Sequence, residues 1–265
     1  SLLGVLEAGG AYVPLDADLP DARLQHVITR TGMKIALADE AQRARLEGMG
    51  LDVRMPDDAI AATEAADQAA AWPETQPDQT AYILFTSGST GEPKAILTSH
   101  RAIVRLVCGV DYATLSPPRR ILHAAPLAFD ASTFELWGAL LHGGTSAMYP
   151  EAVPTADGLK RFLSEFRVDT AWLTSSLFNV LIDDDPGCVS GLSQLLVGGD
   201  VVSPSHVMRA CKAAPQLQVI NGYGPTESTT FAACHPIRDT DLTDGRALPI
   251  GRPIANTRLY VLDAG

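Results

Sequence analysis

The sequence predicts an α/β fold of mainly parallel β-sheets flanked by helices, with a β-rich stretch toward the C-terminus. Three observations lead there. Short apolar runs alternate with segments of helical period along most of the chain, which is the pattern of βαβ units. A glycine-bearing string, Asn221 to Glu227, follows a buried run, and ligands of parallel sheets bind at the carboxyl ends of strands. The 265 residues are 46% hydrophobic, enough for a sizeable core in one large or two small domains.

In order, Leu2, Leu3, Val5 and Leu6 fit one helix face, stopped by Gly9-Gly10. Ala11-Tyr12-Val13-Pro14 reads as a strand whose proline marks its end or an edge. Pro20-Asp21 opens a helix with Leu24, Val27 and Ile28 on one side and Gly32 as its stop. Ile35-Ala36-Leu37 is a strand. Residues 57–80 are rich in Ala, Asp, Glu and Gln, and read as a polar surface crossing or a weak helix. Ala81 to Phe85 and Ala95 to Leu97 read as short buried strands. Ser99 caps a helix to about Val110, with Ile103, Val104, Leu106 and Val107 inward.

Ile121 to Ala125 is a strand, followed by a helix from Ala131 to about Leu141. Thr155 caps a helix with Leu159, Phe162, Leu163 and Phe166 on one side. Thr170 to Leu173, Gln194 to Val197 and Leu217 to Ile220 are strands. Ser203-Pro204 is an N-cap followed by proline at the first helical position, opening a helix to about Ala213. From Thr229 onward the pattern turns β-like, ending in Arg258-Leu259-Tyr260-Val261-Leu262.

Composition excludes some functions. A net charge of −11 argues against a nucleic-acid or anionic-membrane surface, since both need a basic face. Cys108, Cys188, Cys211 and Cys234 form no CxxC pair, which fits free thiols in a reducing cytoplasm better than a metal site or a disulfide framework. No apolar run reaches the roughly 18 residues of a membrane span. The chain begins without Met and inside an apparent helix, and it stops abruptly, so a piece of a longer protein is expected.

One string stands out: Thr86-Ser87-Gly88-Ser89-Thr90-Gly91-Glu92-Pro93-Lys94. It packs four hydroxyls, two glycines and a lysine into nine residues between two apolar runs. Glycine lets a backbone approach a ligand, and hydroxyls, N–H groups and a lysine suit a polyphosphate. Composition alone leaves a solvated Ser/Gly hairpin loop open as well. It is not a Walker loop, because the lysine lies three residues after the last glycine and a strand follows.

The string resembles the phosphate-loop signature of adenylate-forming enzymes, which include acyl-CoA synthetases, luciferases and the adenylation domains of nonribosomal peptide synthetases. That resemblance implies ATP contacts from Thr86, Ser87, Gly88, Ser89, Thr90, Gly91 and Lys94. Asn221-Gly222-Tyr223-Gly224-Pro225-Thr226-Glu227 follows a buried strand. Alone it is an ordinary Gly-Pro turn. It is similar to the same enzymes' adenine and metal motif. Carried over, Tyr223 stacks on adenine, Asn221 meets the base, Thr226 contacts the α-phosphate and Glu227 holds Mg²⁺. Thr90, Lys94, Thr226 and Glu227 form the implied catalytic set.

Phe129-Asp130-Ala131-Ser132-Thr133-Phe134-Glu135 is the third string. By itself Asp130 is an N-cap. In peptide-synthetase adenylation domains, an aspartate in this context pairs with the α-ammonium of the amino acid. Enzymes acting on simple fatty or aryl acids have no ammonium to meet and generally lack it. Glu7-Ala8-Gly9-Gly10-Ala11-Tyr12-Val13-Pro14-Leu15-Asp16 and Gly251 to Asp263 resemble two structural motifs of the same branch, so the resemblance spans the chain.

The resemblance implies the large N-terminal subdomain of an adenylation domain, covering residues 1–265, without its small C-terminal domain and catalytic lysine. The parent would form an aminoacyl-adenylate from ATP and an amino acid, release pyrophosphate, and pass the acyl group to a carrier-protein phosphopantetheine thiol. A condensation domain would be a neighbour. This length alone is expected to be nearly inactive. The implied pocket is Asp130, Ala131, Phe134, Trp172, Leu196, Gly198, Gly222, Thr230 and Phe231. Apart from Asp130 and Thr230 these offer no polar side-chain group, and Gly198 and Gly222 leave some room, so valine or a similar aliphatic is expected. The alternatives are an acyl- or aryl-CoA synthetase and a non-catalytic nucleotide-binding fragment.

Overall fold

The computed structural model describes residues 1–56, 73–86, 93–243 and 246–263. They divide into two compact units, Ser1–His100 and Arg101–Gly265.

The first unit opens with α1 (Leu2–Glu7) and α2 (Asp21–Thr31). Helix α2 buries Leu24, Val27 and Ile28 and ends at Gly32, which adopts the left-handed conformation that a side chain disfavours. Strand β1 (Ile35–Leu37) pairs in parallel with β2 (Asp52–Arg54). Between them lies α3 (Glu40–Gly48), whose N-terminus is capped by the Asp39 carboxylate. Ile28, Ala36, Leu46, Leu51 and Val53 form the small core beneath these elements.

Strands β3 (Thr80–Thr86) and β4 (Lys94–Ser99) pair with each other antiparallel, not in parallel. A parallel crossover needs roughly a dozen residues, more than separate Thr86 from Lys94. Leu97 is exposed rather than buried. The expected strand at Ala11–Pro14 is reduced to one bridge, Tyr12 against Tyr82. Pro14 has no N–H with which to extend that ladder.

The second unit is built on a seven-stranded sheet: β5 (Arg120–His123), β6 (Thr145–Met148), β7 (Thr170–Thr174), β8 (Gln194–Gly198), β9 (Gln218–Tyr223), β10 (Ala233–Pro236) and β11 (Arg252–Pro253). Their spatial order is β11-β10-β9-β8-β7-β5-β6. Strands β5 to β9 run parallel, and β10 and β11 add antiparallel. Helix α4 (His100–Val107) begins at the unit boundary, and α5 (Ala131–Leu140), α6 (Ala156–Glu165), α7 (Ser175–Asp184) and α8 (Pro204–Ala213) follow. Leu159 and Phe162 of α6, Phe178 and Leu181 of α7, and Val207 of α8 join Leu173, Leu195 and Val219 of the strands in one core. The chain leaves β5 toward β6 on one side and returns to β7 on the other, so the strand order reverses at β5. Ligands of open α/β sheets bind beyond the carboxyl ends of the strands at such a point.

Several expectations are corrected. Helix α4 stops at Val107, and Val104 points to solvent. Ser203 sits at the N-cap of α8, but its hydroxyl pairs with His206 Nδ1 at 2.7 Å and Ser205 Oγ at 3.0 Å rather than with the helix backbone. The stretch Arg258–Leu262 forms no strand: Tyr260, Val261 and Leu262 are exposed, and β-favouring side chains do not make a strand without a partner to pair with. Elements α3, β2, β6 and α7 lie beyond the sequence reading. Helix α7 has a legible signal, with Thr174 as its cap and Phe178, Leu181 and Ile182 buried on one face.

Candidate active site

Loops at the carboxyl ends of β5, β8 and β9 carry candidate groups, while β7 passes directly into α7. The strands hold them in fixed register. Trp172 of β7 lies opposite Leu196 of β8, and Gly198 of β8 opposite Gly222 of β9. A Cβ on Gly198 would sit 2.1 Å from the Gly222 carbonyl oxygen, and one on Gly222 would sit 2.6 Å from Cε1 of Phe231. The space at both glycines is therefore already taken by protein atoms. They permit close packing rather than opening room, which corrects the sequence reading.

Asp130 ends the loop after β5. It stands at the N-cap of α5, yet its side chain makes no capping bond. Its carboxylate is buried, and burial pushes its pKa above the usual carboxylate range. The Thr226 hydroxyl and the main chain of Ala131 and Thr230 oppose that shift. Among the described residues no basic side chain pairs with it. An unpaired buried carboxylate is costly, and the arrangement is complementary to a cation.

The other residues expected beside it are enclosed: Ala131 and Phe134 have no exposed surface, and Trp172 and Phe231 are buried. The Phe134 and Phe231 rings meet edge-on at 5.7 Å, and Phe129 covers Trp172 at 5.5 Å. Leu196 is fully buried in the central strand. Trp172 carries a polar atom that the sequence reading discounted: its indole N–H is buried and has no acceptor among the described residues.

The turn from β9 to β10 carries the remaining groups. A short 3-10 turn at Thr226–Ser228 is followed by Thr229 and Thr230 at φ 57° and 63°. β-branched residues rarely adopt that region. Gly224 permits the fold-back, since a Cβ there would meet the Thr230 carbonyl oxygen at 2.4 Å. Thr230 Oγ1 bonds the Asp130 carbonyl at 2.7 Å. Tyr223 is 47% exposed, Thr226 is half-buried and Glu227 is exposed. Asn221 is buried, and its side-chain amide donates to the Pro249 carbonyl at 2.9 Å. One of the donors expected to meet a base is thus engaged by the protein.

In the first unit, Thr86 and Lys94 face each other as the last and first paired residues of β3 and β4, with Lys94 exposed. Ser87, Gly88, Ser89, Thr90 and Gly91 lie outside the described residues.

The AMP-binding enzyme family matches residues 1–265. The chain belongs to that family. Among curated relatives it is 44% identical over 264 residues to a linear gramicidin synthase of Brevibacillus parabrevis, covering 99% of this chain and 3% of that protein. Among solved structures it is similar to a holo NRPS protein containing adenylation and PCP domains, bound to a vinylsulfonamide inhibitor. The TM-score is 0.88 at 39% identity, covering 99% of this chain and 44% of that one. It is also similar to the N-terminal subdomain of Klebsiella oxytoca NpsA in complex with 3-hydroxyanthranilyl-AMSN, with TM-score 0.82 at 26% identity over 96% of this chain and 63% of that one.

Two side chains of this AMP-binding chain escaped the sequence reading. Glu135, on α5, has no exposed surface and accepts from the Ala125 N–H at 3.0 Å. Burial raises its pKa to about 8, against the hydrogen bonds from Ala125 and Ala124, so it is protonated at neutral pH. It ties α5 to the start of the loop that carries Asp130. The other is Arg105, on α4. The one signal for either was a charged residue amid apolar neighbours.

Proposed function

We propose that this AMP-binding chain is the ATP-using, amino-acid-selecting part of a nonribosomal peptide synthetase adenylation domain. The Asp130 carboxylate carries the reading. It is buried, its recorded polar neighbours are the Thr226 hydroxyl and the main chain of Ala131 and Thr230, and no basic group of the described residues neutralises it. The α-ammonium of an amino acid would do so.

The donor set fits a nucleotide with a hard cation. An exposed aromatic ring at the end of a parallel strand, Tyr223, offers a face to a purine, and the exposed carboxylate of Glu227 offers oxygen to Mg²⁺. When bound, Mg²⁺ supplies neutralisation of phosphate charge. Thr86, Ser87, Gly88, Ser89, Thr90, Gly91 and Lys94 supply donors and a positive charge for the phosphates, and Thr226 a hydroxyl for the α-phosphate. A carboxylate oxygen of the amino acid attacks the α-phosphorus. The new P–O bond forms as the bond to pyrophosphate breaks, and pyrophosphate leaves. The chain's residues act by holding the two reactants and by electrostatic stabilisation. The acyl group then passes to the phosphopantetheine thiol of a carrier protein, with AMP as leaving group, and a condensation domain would use the resulting thioester.

The residues assigned to the amino-acid pocket, Ala131, Phe134, Trp172, Leu196 and Phe231, carry no charge and offer mainly apolar surface, which supports valine or a similar aliphatic as the substrate side chain. One methylene is worth only about 1–3 kcal/mol in such a pocket, so selectivity for valine over Ile and Leu is modest. The test is amino-acid-dependent ATP–pyrophosphate exchange by the natural protein that carries this sequence, across the proteinogenic amino acids. Strongest exchange with valine supports the whole reading. Exchange with a polar or aromatic amino acid removes the pocket assignment. Activity only with carboxylic acids lacking an amine moves the chain to the acyl- or aryl-CoA synthetases.

A further inference from the structure

The geometry points to Arg105 as a positioning residue that holds the β9–β10 turn, and with it the nucleotide-side and amino-acid-side groups, in one register. This deepens the function proposed above and rests on it. Arg105 projects from α4, whose neighbouring Ile103, Leu106 and Val107 are buried. Its guanidinium donates to four groups of the second unit: Nη2 to the Ser228 carbonyl at 2.6 Å and the Thr229 carbonyl at 3.1 Å, Nη1 to the Phe231 carbonyl at 3.1 Å and Thr257 Oγ1 at 2.7 Å.

Three of those acceptors are main-chain carbonyls of one turn, and that turn needs holding. Thr229 and Thr230 both sit at positive φ, a conformation that persists in β-branched residues only where the surroundings impose it. Thr226 and Glu227 immediately precede the clamped carbonyls. Thr230 and Phe231 lie within them, and Thr230 continues to the Asp130 carbonyl. One planar fork thus fixes the spacing between the residues proposed for phosphate and metal and those proposed for the amino acid. A lysine could not replace it, because a single ammonium cannot reach four acceptors in that fixed fan. Arg105 touches neither reactant in this scheme; it acts through the turn.

The test uses Arg105→Lys in the natural protein carrying this chain, with two readouts. Pyrophosphate exchange should show the KM for ATP and the KM for the amino acid both rising at least five-fold, with kcat falling. Hydrogen exchange should show amides of residues 228–232 exchanging at least ten-fold faster, while those of β8 keep their protection. Thr257→Val removes one acceptor and keeps the arginine; it should shift both readouts in the same direction by less, and it decides the matter if Arg105→Lys does not fold. Kinetic constants within two-fold of the parent and unchanged amide protection in a folded variant would overturn the clamp while leaving the function intact. A parent protein without exchange toward any amino acid would overturn the function, and the amide readout would then judge the clamp alone.

Discussion

Thr230 Oγ1 donates a 2.7 Å hydrogen bond to the main-chain carbonyl of Asp130, joining positions 100 residues apart. The same carbonyl accepts from the Thr133 N–H at 3.0 Å. Thr230→Val keeps the shape and removes the donor, leaving the carbonyl one partner. The expected loss is about 1 kcal/mol in urea unfolding, with a larger rise in KM for the amino acid than for ATP. Equal rises in both would show that the bond does not act through Asp130.

Asp130→Asn separates stability from function. Burial raises the Asp130 pKa in the folded state, so its contribution to stability is greatest below the unfolded value and declines as pH rises through the folded one. The amide has no charge to desolvate. Near pH 7 the variant should be at least as stable as the parent, while amino-acid-dependent exchange falls about 100-fold for want of a counter-charge. Retained exchange would remove the ammonium from the scheme.

Glu135 gives a pH dependence with a definite sign. Its folded pKa of about 8 lies above the ordinary 4.5, so the unfolded chain releases a proton first. Stability from this group is complete below pH 4.5 and declines as pH rises through about 8, by at most about 1.4 kcal/mol per pH unit. Glu135→Gln should flatten that slope between pH 5 and 8 in thermal unfolding. A slope equal to the parent's would assign it to other groups.

Gly198→Ala and Gly222→Ala should differ. The first places a methyl against a main-chain oxygen that the β8–β9 ladder holds; the second meets the Phe231 ring, which can tilt. Gly222→Ala should cost about 1–3 kcal/mol, with loss of the edge-on contact between Phe231 and Phe134. Gly198→Ala should cost more, and chemical unfolding of the pair ranks them.

Glu227 is exposed, so the fold loses little when its charge is removed. Glu227→Gln should leave the melting temperature unchanged, raise the KM for ATP and require more Mg²⁺ for half-maximal exchange. An unshifted Mg²⁺ requirement would move the metal to another group.

The sequence by itself determined the fold class, the family and the order of the site strings. These are local: helical period, β-run composition and long glycine-bearing strings survive in one dimension. Helix α2, strands β7 and β8, and Asp130 at the entrance to α5 are where the pattern places them. Tertiary structure alone decided what depends on partners distant in the chain. Pairing left Tyr260 to Leu262 outside any strand. Packing filled the space beside Gly198 and Gly222, which the sequence presents only as missing side chains. Burial turned Glu135 into a neutral acid, and a hydrogen-bond fan gave Arg105 its acceptors at Ser228 and Phe231, more than a hundred residues away. Burial, close approach and pairing are properties of two segments together, and no window of one segment contains them.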